Sequence, residues 1–326
     1  MIDFSMQNLP YINPFTNNVL LLLSVLLVKF LFNTMISHDP LKYFHFYCTK
    51  LSNKVNKSNN SSTQQHIAGM VAIFVTLAPI VIILWLFAAF IEIKWLWQGF
   101  LLYLAIGPLG VSKAGKSVAQ ALVANNNYLA KQILNPWVLR ETDQLSSMGL
   151  SKASIEMMLL KMLQQKVVII MYFLLMGPLA ALSIRLLFEM HYSWNIKQAK
   201  FHYFGLTISK IVNILQWLPV RLFTLILLLT LANKNIVLYW RLLKGKVFVL
   251  NNDIALHCLS LALEIKLGGV ALYNGTKVRK KSFNEQAKQP SPTDIIHASN
   301  KIKQIGIILL FLLFASATLA TIFQQG

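Results

Sequence analysis

The sequence predicts an all-α, polytopic integral membrane protein, with about six transmembrane helices and further amphipathic helices on the cytoplasmic side. Three observations predict it. Of 326 residues, 56% are hydrophobic and 13% charged, whereas a soluble domain carries about a quarter charged residues. Several apolar runs reach the roughly 20 residues a helix needs to cross hydrocarbon. The chain also holds 30 Lys and Arg against 11 Asp and Glu, and the basic residues lie mainly between the apolar runs.

The N-terminal 16 residues contain Asp3 and no Lys or Arg. They lack the charged region of a cleavable signal, so the first apolar run, 17–36, is expected as a retained span. Lys29 interrupts it, placed either to snorkel or to face other helices. Residues 37–66 form a polar loop with the soft tract NKSNNSSTQQ, and 67–91 form a second span containing Pro79. Proline is tolerated in a membrane helix whose neighbours satisfy the freed carbonyl. Trp95 and Trp97 suit the interface at the start of a short third span, 95–111.

Residues 112–166 are polar and helical in pattern, 167–188 a fourth span, 189–213 polar, and 214–232 a fifth span. The basic segment 233–303 includes IALHCLSLALEIKLGGVALY, where Glu264 and Lys266 favour an interfacial helix ending at Gly268-Gly269. Span six is 305–323. The whole reads as one membrane domain.

Lys and Arg counts set the orientation. Segments 37–66, 112–166 and 233–303 carry four, seven and twelve. The opposite side has one in 92–94, three in 189–213 and none in 1–16. The positive-inside rule places the first group in the cytoplasm and both termini outside, with the bilayer itself as the partner of the basic residues. No nucleic-acid module accompanies the charge. Cys48 and Cys258 lie far apart without metal-ligand spacing and read as buried thiols.

Residues Gly110-Val-Ser-Lys-Ala-Gly115-Lys116-Ser117 match a P-loop literally. That chemistry needs a parallel strand before the loop, and here a membrane span precedes it, so a helix start is the plainer reading. Ile155, Met158, Leu159, Met162 and Leu163 recur on one helical face. Lys152 and Glu156 lie off it at i,i+4 spacing, which makes Glu156 either a catalytic acid or half of a surface ion pair. Arg185 and Arg221 fall within or beside apolar runs, where an arginine costs at least about 2.5 kcal/mol unless paired, solvated or snorkelling. Arg185 lies near a span end, with Glu189 the acid nearest in sequence. For Arg221 an anion site, a structural pair and snorkelling remain open. His191, His202, His257 and His297 form no metal-binding spacing, and transport has little support because intramembrane charges are few.

These residues resemble the cobinamide-phosphate synthase family of cobalamin biosynthesis, the CbiB/CobD proteins, nearly end to end. Asp39-Pro40-Leu41-Lys42 is similar to its His-Pro-Val-Arg stretch, Gly110-Val111-Ser112 to its Gly-Arg-Ser, and Arg140-Glu141-Thr142 to its Arg-Asp-Thr. Glu156 stands at the first glutamate of Glu-Thr-Val-Ala-Glu-Asn. Gly177-Pro178-Leu179-Ala180, Gly205, Leu218-Pro219-Val220-Arg221-Leu222, Leu267-Gly268-Gly269, Tyr273, Gly275 and Asp294-Ile295 follow further family patterns.

The resemblance implies joining of an aminopropanol arm, or its phosphate, to a corrinoid carboxylate, with ATP, magnesium and a corrinoid implied by the family alone. It offers Arg140, Thr142, Arg185, Lys200, Arg221, Gly268 and Gly269 as ligand-binding candidates and leaves Glu156 as the candidate catalytic acid. Several family acids are replaced. Leu160 and Lys161 stand for Glu-Asn, Gln164-Gln165 for Asp-Gly, Phe188 to Ser193 for Asn-Thr-Leu-Asp-Ser-Met, and Lys210 to Asn213 for Arg-Leu-Asp-Asp. The implied reaction is therefore expected to be impaired or lost.

Trp217 to Leu222 also resembles the AmpE-type membrane proteins linked to β-lactamase induction. That resemblance implies a non-enzymatic protein that binds a ligand or partner through Arg140, Arg185 and Arg221. Family motifs flank 167–188 on both sides. A helix broken at Gly177-Pro178 would unite them on one face, but it would put the twelve basic residues of 233–303 outside. A full crossing is expected.

Overall fold

A computed structural model describes residues 13–32, 40–57, 59–231, 244–245, 248–250 and 252–325. Asp39 of the family-like stretch, the end of the first expected span and all of 232–243 lie outside the described residues.

The first helix, α1 (Pro14–Leu31), starts where the Asn13 side chain accepts the Phe15 amide at 3.0 Å and Pro14 occupies the first turn. Helix α2 (Lys42–Val55) follows. Helix α3 (Ser62–Phe87) opens on a reciprocal capping box between Ser61 and Gln64 and runs through Pro79. The chain turns back through 88–93 into α4 (Lys94–Ala105). Helices α5 (Val111–Val123), α6 (Asn127–Leu134) and α7 (Ser147–Met162) come next. A five-residue π-helical turn, Leu163–Val167, joins α7 to α8 (Val168–Met176) without a break. Then come α9 (Pro178–Ser193), α10 (Leu206–Leu229), α11 (Asp253–Ala262), an antiparallel hairpin of β1 (Leu267–Tyr273) and β2 (Thr276–Phe283), and α12 (Pro292–Gln325).

The helical, polytopic class stands. Among the described residues five helices are long and apolar enough to cross a membrane: Pro14–Leu31, Ser62–Phe90, Ser147–Met176, Leu206–Leu229 and Pro292–Phe323. That number is close to the expected six, but the segments differ. The run expected over 95–111 forms the twelve-residue α4, about 18 Å of helix against roughly 30 Å of hydrocarbon. It stops because Gly107 donates its amide to the Gln165 carbonyl at 3.0 Å and Pro108 follows.

The single helix expected over 167–188 is two helices. Gly177, at φ +85° and ψ −178°, occupies backbone essentially reserved for glycine, and Pro178 cannot donate the bond that would continue the helix. Helix α9 doubles back along α8, so Tyr192 donates to the Gln164 side chain at 2.7 Å. The interfacial helix expected to end at Gly268-Gly269 ends instead at Ala262. The two glycines lie in β1, both at positive φ, where the register shifts between Gly268 and Val270. A Cβ at Gly268 would sit 2.0 Å from the Lys281 carbonyl oxygen.

Two cores result. One gathers Leu22, Ile73, Leu102, Phe173, Phe188, Trp194 and Phe204 from α1, α3, α4, α8 and α9 and the segment after α9. The other gathers Val118, Leu150, Ile155, Leu159, Leu259, Ile265 and Ile302 from α5, α7, α11, the hairpin's approach and α12. The expected apolar face of α7 lies in it, with Ile155, Met158, Leu159 and Leu163 buried. Helix α10 straddles the two: Ile208 and Val212 join the first core, Val220, Phe223 and Leu227 the second. Lys29, buried on α1, reaches the carbonyls of Ile106 and Gly107 at the end of α4 and stands 4.7 Å from the Tyr103 ring.

Candidate functional site

A recess of about 650 Å³ opens between the cores, within the usual range for small-molecule sites. Helix α7 and the π turn supply Glu156, Leu160, Lys161, Gln164 and Gln165, and α9 supplies Glu189, His191 and Tyr192. The following segment adds Asn195 and Lys197, α2 Lys42 and His45, the approach to α7 Trp137 to Arg140, and the hairpin Tyr273 and Lys280. The return of α9 along α8 is what unites the segments before and after the expected fourth span. A π turn widens the helix locally and is frequent at functional sites. Here it presents two successive glutamines.

Each carboxylate in the recess is engaged. Glu156 accepts the Gly268 amide at 2.9 Å and lies 3.9 Å from the Arg140 guanidinium, while Arg140 also reaches the Gly149 carbonyl at 3.4 Å. Glu156 is buried, and its partner is Arg140. Lys152, expected as its surface partner, donates instead to Gln289 at 3.5 Å. Glu189 pairs with fully buried Arg185 one turn earlier and lies 3.7 Å from His45 Nδ1. Ser193 Oγ meets the same nitrogen at 2.9 Å. Because both neighbours use Nδ1, the imidazole cannot relay a proton from serine to carboxylate, which needs opposite nitrogens.

The glutamine side continues as a chain: Gln164 donates to Gln216 at 3.2 Å, Gln216 to Asn213 at 2.8 Å, and Asn252 to Gln216 at 3.0 Å. Gln165 Oε1 and His191 Nδ1, both on residues lining the recess, are buried without a hydrogen-bond partner among the described residues. Buried polar atoms are rarely left so, and a ligand is one way to satisfy them.

Lys197 and Lys280 both line the recess. Lys197 keeps surface open to solvent, but the protein packed around it, then neighbouring Lys280, hold its ammonium below the usual lysine range. Burial also lowers Lys280, with Glu156 opposing, and raises the Tyr273 phenol. Lys280 stands 5.3 Å from the Tyr273 ring.

Of the residues expected to bind ligand, Arg140 lines the recess, as does the candidate catalytic acid Glu156; Gly268 donates its amide to Glu156, and Arg185 pairs with Glu189 of the lining. The others lie elsewhere. Thr142 is buried and accepts the Leu145 amide through its carbonyl at 3.0 Å. Lys200 donates to Asn53 at 2.6 Å, tying the segment after α9 to α2. Arg221 stacks on Trp217 at 5.2 Å and donates to the carbonyls of Trp217 and Val249. Gly269 serves the bulge in β1. The P-loop match is the start of α5 after a helix. Lys197 and Lys280 escaped sequence reading because only folding brings the segment after α9 to the hairpin.

The residues do not fit carboxylate-held magnesium, which takes one or two carboxylates plus waters and phosphates. Glu156 and Glu189 are committed to arginines, and among the described residues no three His, Cys, Asp or Glu side chains gather closely enough to share a metal.

The chain is similar to the cobalamin biosynthesis protein CobD of Stutzerimonas stutzeri (strain A1501), 26% identical over 276 residues, covering 84% of this chain and 90% of that one. It is similar to the protein of the same name from Chromobacterium violaceum, 27% identical over 212 residues, covering 65% and 68%. A Leptospira interrogans protein, also so named, is 25% identical over 224 residues, covering 66% and 69%. No solved structure matches. The CobD/Cbib protein family model matches residues 22–302, nearly the whole of both cores and the recess between them, and the chain belongs to that family.

Proposed function

We propose that this cobalamin-biosynthesis family member keeps the family's ligand recess but carries out the implied joining of aminopropanol, or its phosphate, to adenosylcobyric acid weakly or not at all. The observation that carries this is the engagement of both recess carboxylates by arginines, with Leu160, Lys161, Gln164 and His191 at the positions of other family acids and amides. The unpartnered Gln165 oxygen supports retained binding, since it is an acceptor suited to an amine or amide N–H. Complementation of a bacterium lacking the synthase tests the reading. No growth without supplied cobinamide is expected, and restored growth overturns it. Purified protein is expected to bind adenosylcobyric acid even so.

The recess and basic segments are assigned to the cytoplasmic face of the bacterial inner membrane. The return of α9 and the packing of the second half of α10 with α11 support this, because they hold the described part of 233–303 on the recess side. Segment 189–213 then joins that side as well, leaving Lys94 as the one basic residue of the connecting segments opposite. The arrangement satisfies the positive-inside rule with a broken fourth span.

A further inference from the structure

We propose that a groove between α2 and α3 holds one acyl chain of an anionic phospholipid, with Lys54 and Lys57 at its headgroup end. The groove has a volume of about 330 Å³ and shares no lining residue with the recess. Leu51 and Val55 of α2 form one wall, and a stripe of α3 from Gln64 to Val75 forms the other. Along that stripe Ala72 is buried and Ala68 half-buried, while Val71 and Val75 stand exposed beside them. Apart from Gln64, every lining residue is apolar. The dimensions select the occupant. Gln64 to Val75 covers about 16 Å of helix, against about 15 Å for one leaflet of the hydrocarbon core. Spread over that length, the volume leaves a width of about 5 Å. A second helix, about 10–12 Å across with its side chains, does not fit, although alanines four apart often mark helix contacts. A single hydrocarbon chain does.

The polar end selects the headgroup. Lys54 precedes Val55 of the wall and Lys57 follows two residues beyond it, both exposed. The Gln65 side chain donates to the carbonyls of Lys57 and Asn60 at 3.5 and 3.2 Å, which ties this turn to the start of α3 beside Gln64. Residues 40–91 include Lys42, Lys50, Lys54 and Lys57 but no Asp or Glu. A zwitterionic headgroup brings its own cation to this end, whereas an anionic one meets only positive charge. Tyr43 and Tyr47, exposed on the same helix, suit the interfacial depth that this requires. The inference goes beyond the proposed function and does not rest on it.

Native mass spectrometry of the full-length protein tests it, after delipidation in detergent and mixing with equal amounts of phosphatidylglycerol and phosphatidylcholine of the same acyl chains. One phosphatidylglycerol is expected to stay bound, in preference to phosphatidylcholine by at least about fivefold. The Lys54→Gln/Lys57→Gln double variant should erase the preference and still retain one lipid. Val71→Trp, which fills the groove from an exposed position, should lose both lipids. Phe74→Trp, exposed on the same helix outside the groove, should lose neither. Absence of any retained lipid, equal retention of the two, or a preference that survives loss of both lysines overturns the proposal. So does undiminished retention in Val71→Trp. A lipid-free dimer that Val71→Trp dissociates would seat a second copy in the groove and overturn it as well.

Discussion

Glu156 joins a helix of the second core to the β-hairpin by accepting the Gly268 amide at 2.9 Å while facing Arg140 at 3.9 Å. Removing the carboxylate leaves a buried guanidinium without its counter-charge, so Glu156→Ala should destabilise by about 3 kcal/mol. Glu156→Gln keeps an oxygen for the Gly268 amide and should cost about half as much. Thermal unfolding in detergent, followed by tryptophan fluorescence, measures both. Equal melting temperatures for Glu156→Ala and the parent would show that the hairpin is not held there.

Arg185 and Glu189 form a second buried pair. Arg185→Met strands Glu189 and should cost about 3–5 kcal/mol, whereas adding Glu189→Leu should recover most of the loss, because replacing both members with apolar groups is often neutral. A double-mutant cycle on unfolding stability reads the coupling directly. Additive losses would contradict it.

Gly177 has open space around its missing Cβ but φ +85°. Gly177→Ala therefore meets a backbone penalty alone, about 1–3 kcal/mol. At Gly99, where a Cβ would meet Leu21 and Val25 at ordinary distances of 3.5 and 3.8 Å, the same change should be nearly neutral. Comparison of folded yield and melting temperature separates them. Indistinguishable behaviour would argue against a fixed turn at Gly177.

The membrane class could be read from the sequence because run length and composition suffice, and α1, α3 and α12 fall on the expected runs. The apolar positions of α7 were readable for the same reason, but periodicity did not show that Ala153, Glu156 and Met157, off that face, are buried as well. Turning points were not. Gly177-Pro178 is compatible with a kinked span and with a hairpin, and only the pairing of Tyr192 with Gln164 decides between them. Gly268-Gly269 reads as a helix stop although it serves a bulged strand. Apolar composition also does not distinguish one straight crossing from two helices that return on each other, which is how 167–188 is built. The recess itself depends on side chains far apart in sequence, and its lysines had no local pattern to mark them.

Lys29 carries a consequence for biogenesis. Two of its acceptors, the carbonyls of Ile106 and Gly107, lie 77 and 78 residues further along the chain. When α1 leaves the ribosome those carbonyls have not yet been made, and hydrocarbon is a costly place for a lysine. The first helix is thus a conditional membrane segment, completed only when α4 arrives. Partitioning of these helices into lipid is consequently a joint event, and a nascent chain halted between them should remain at the insertion machinery.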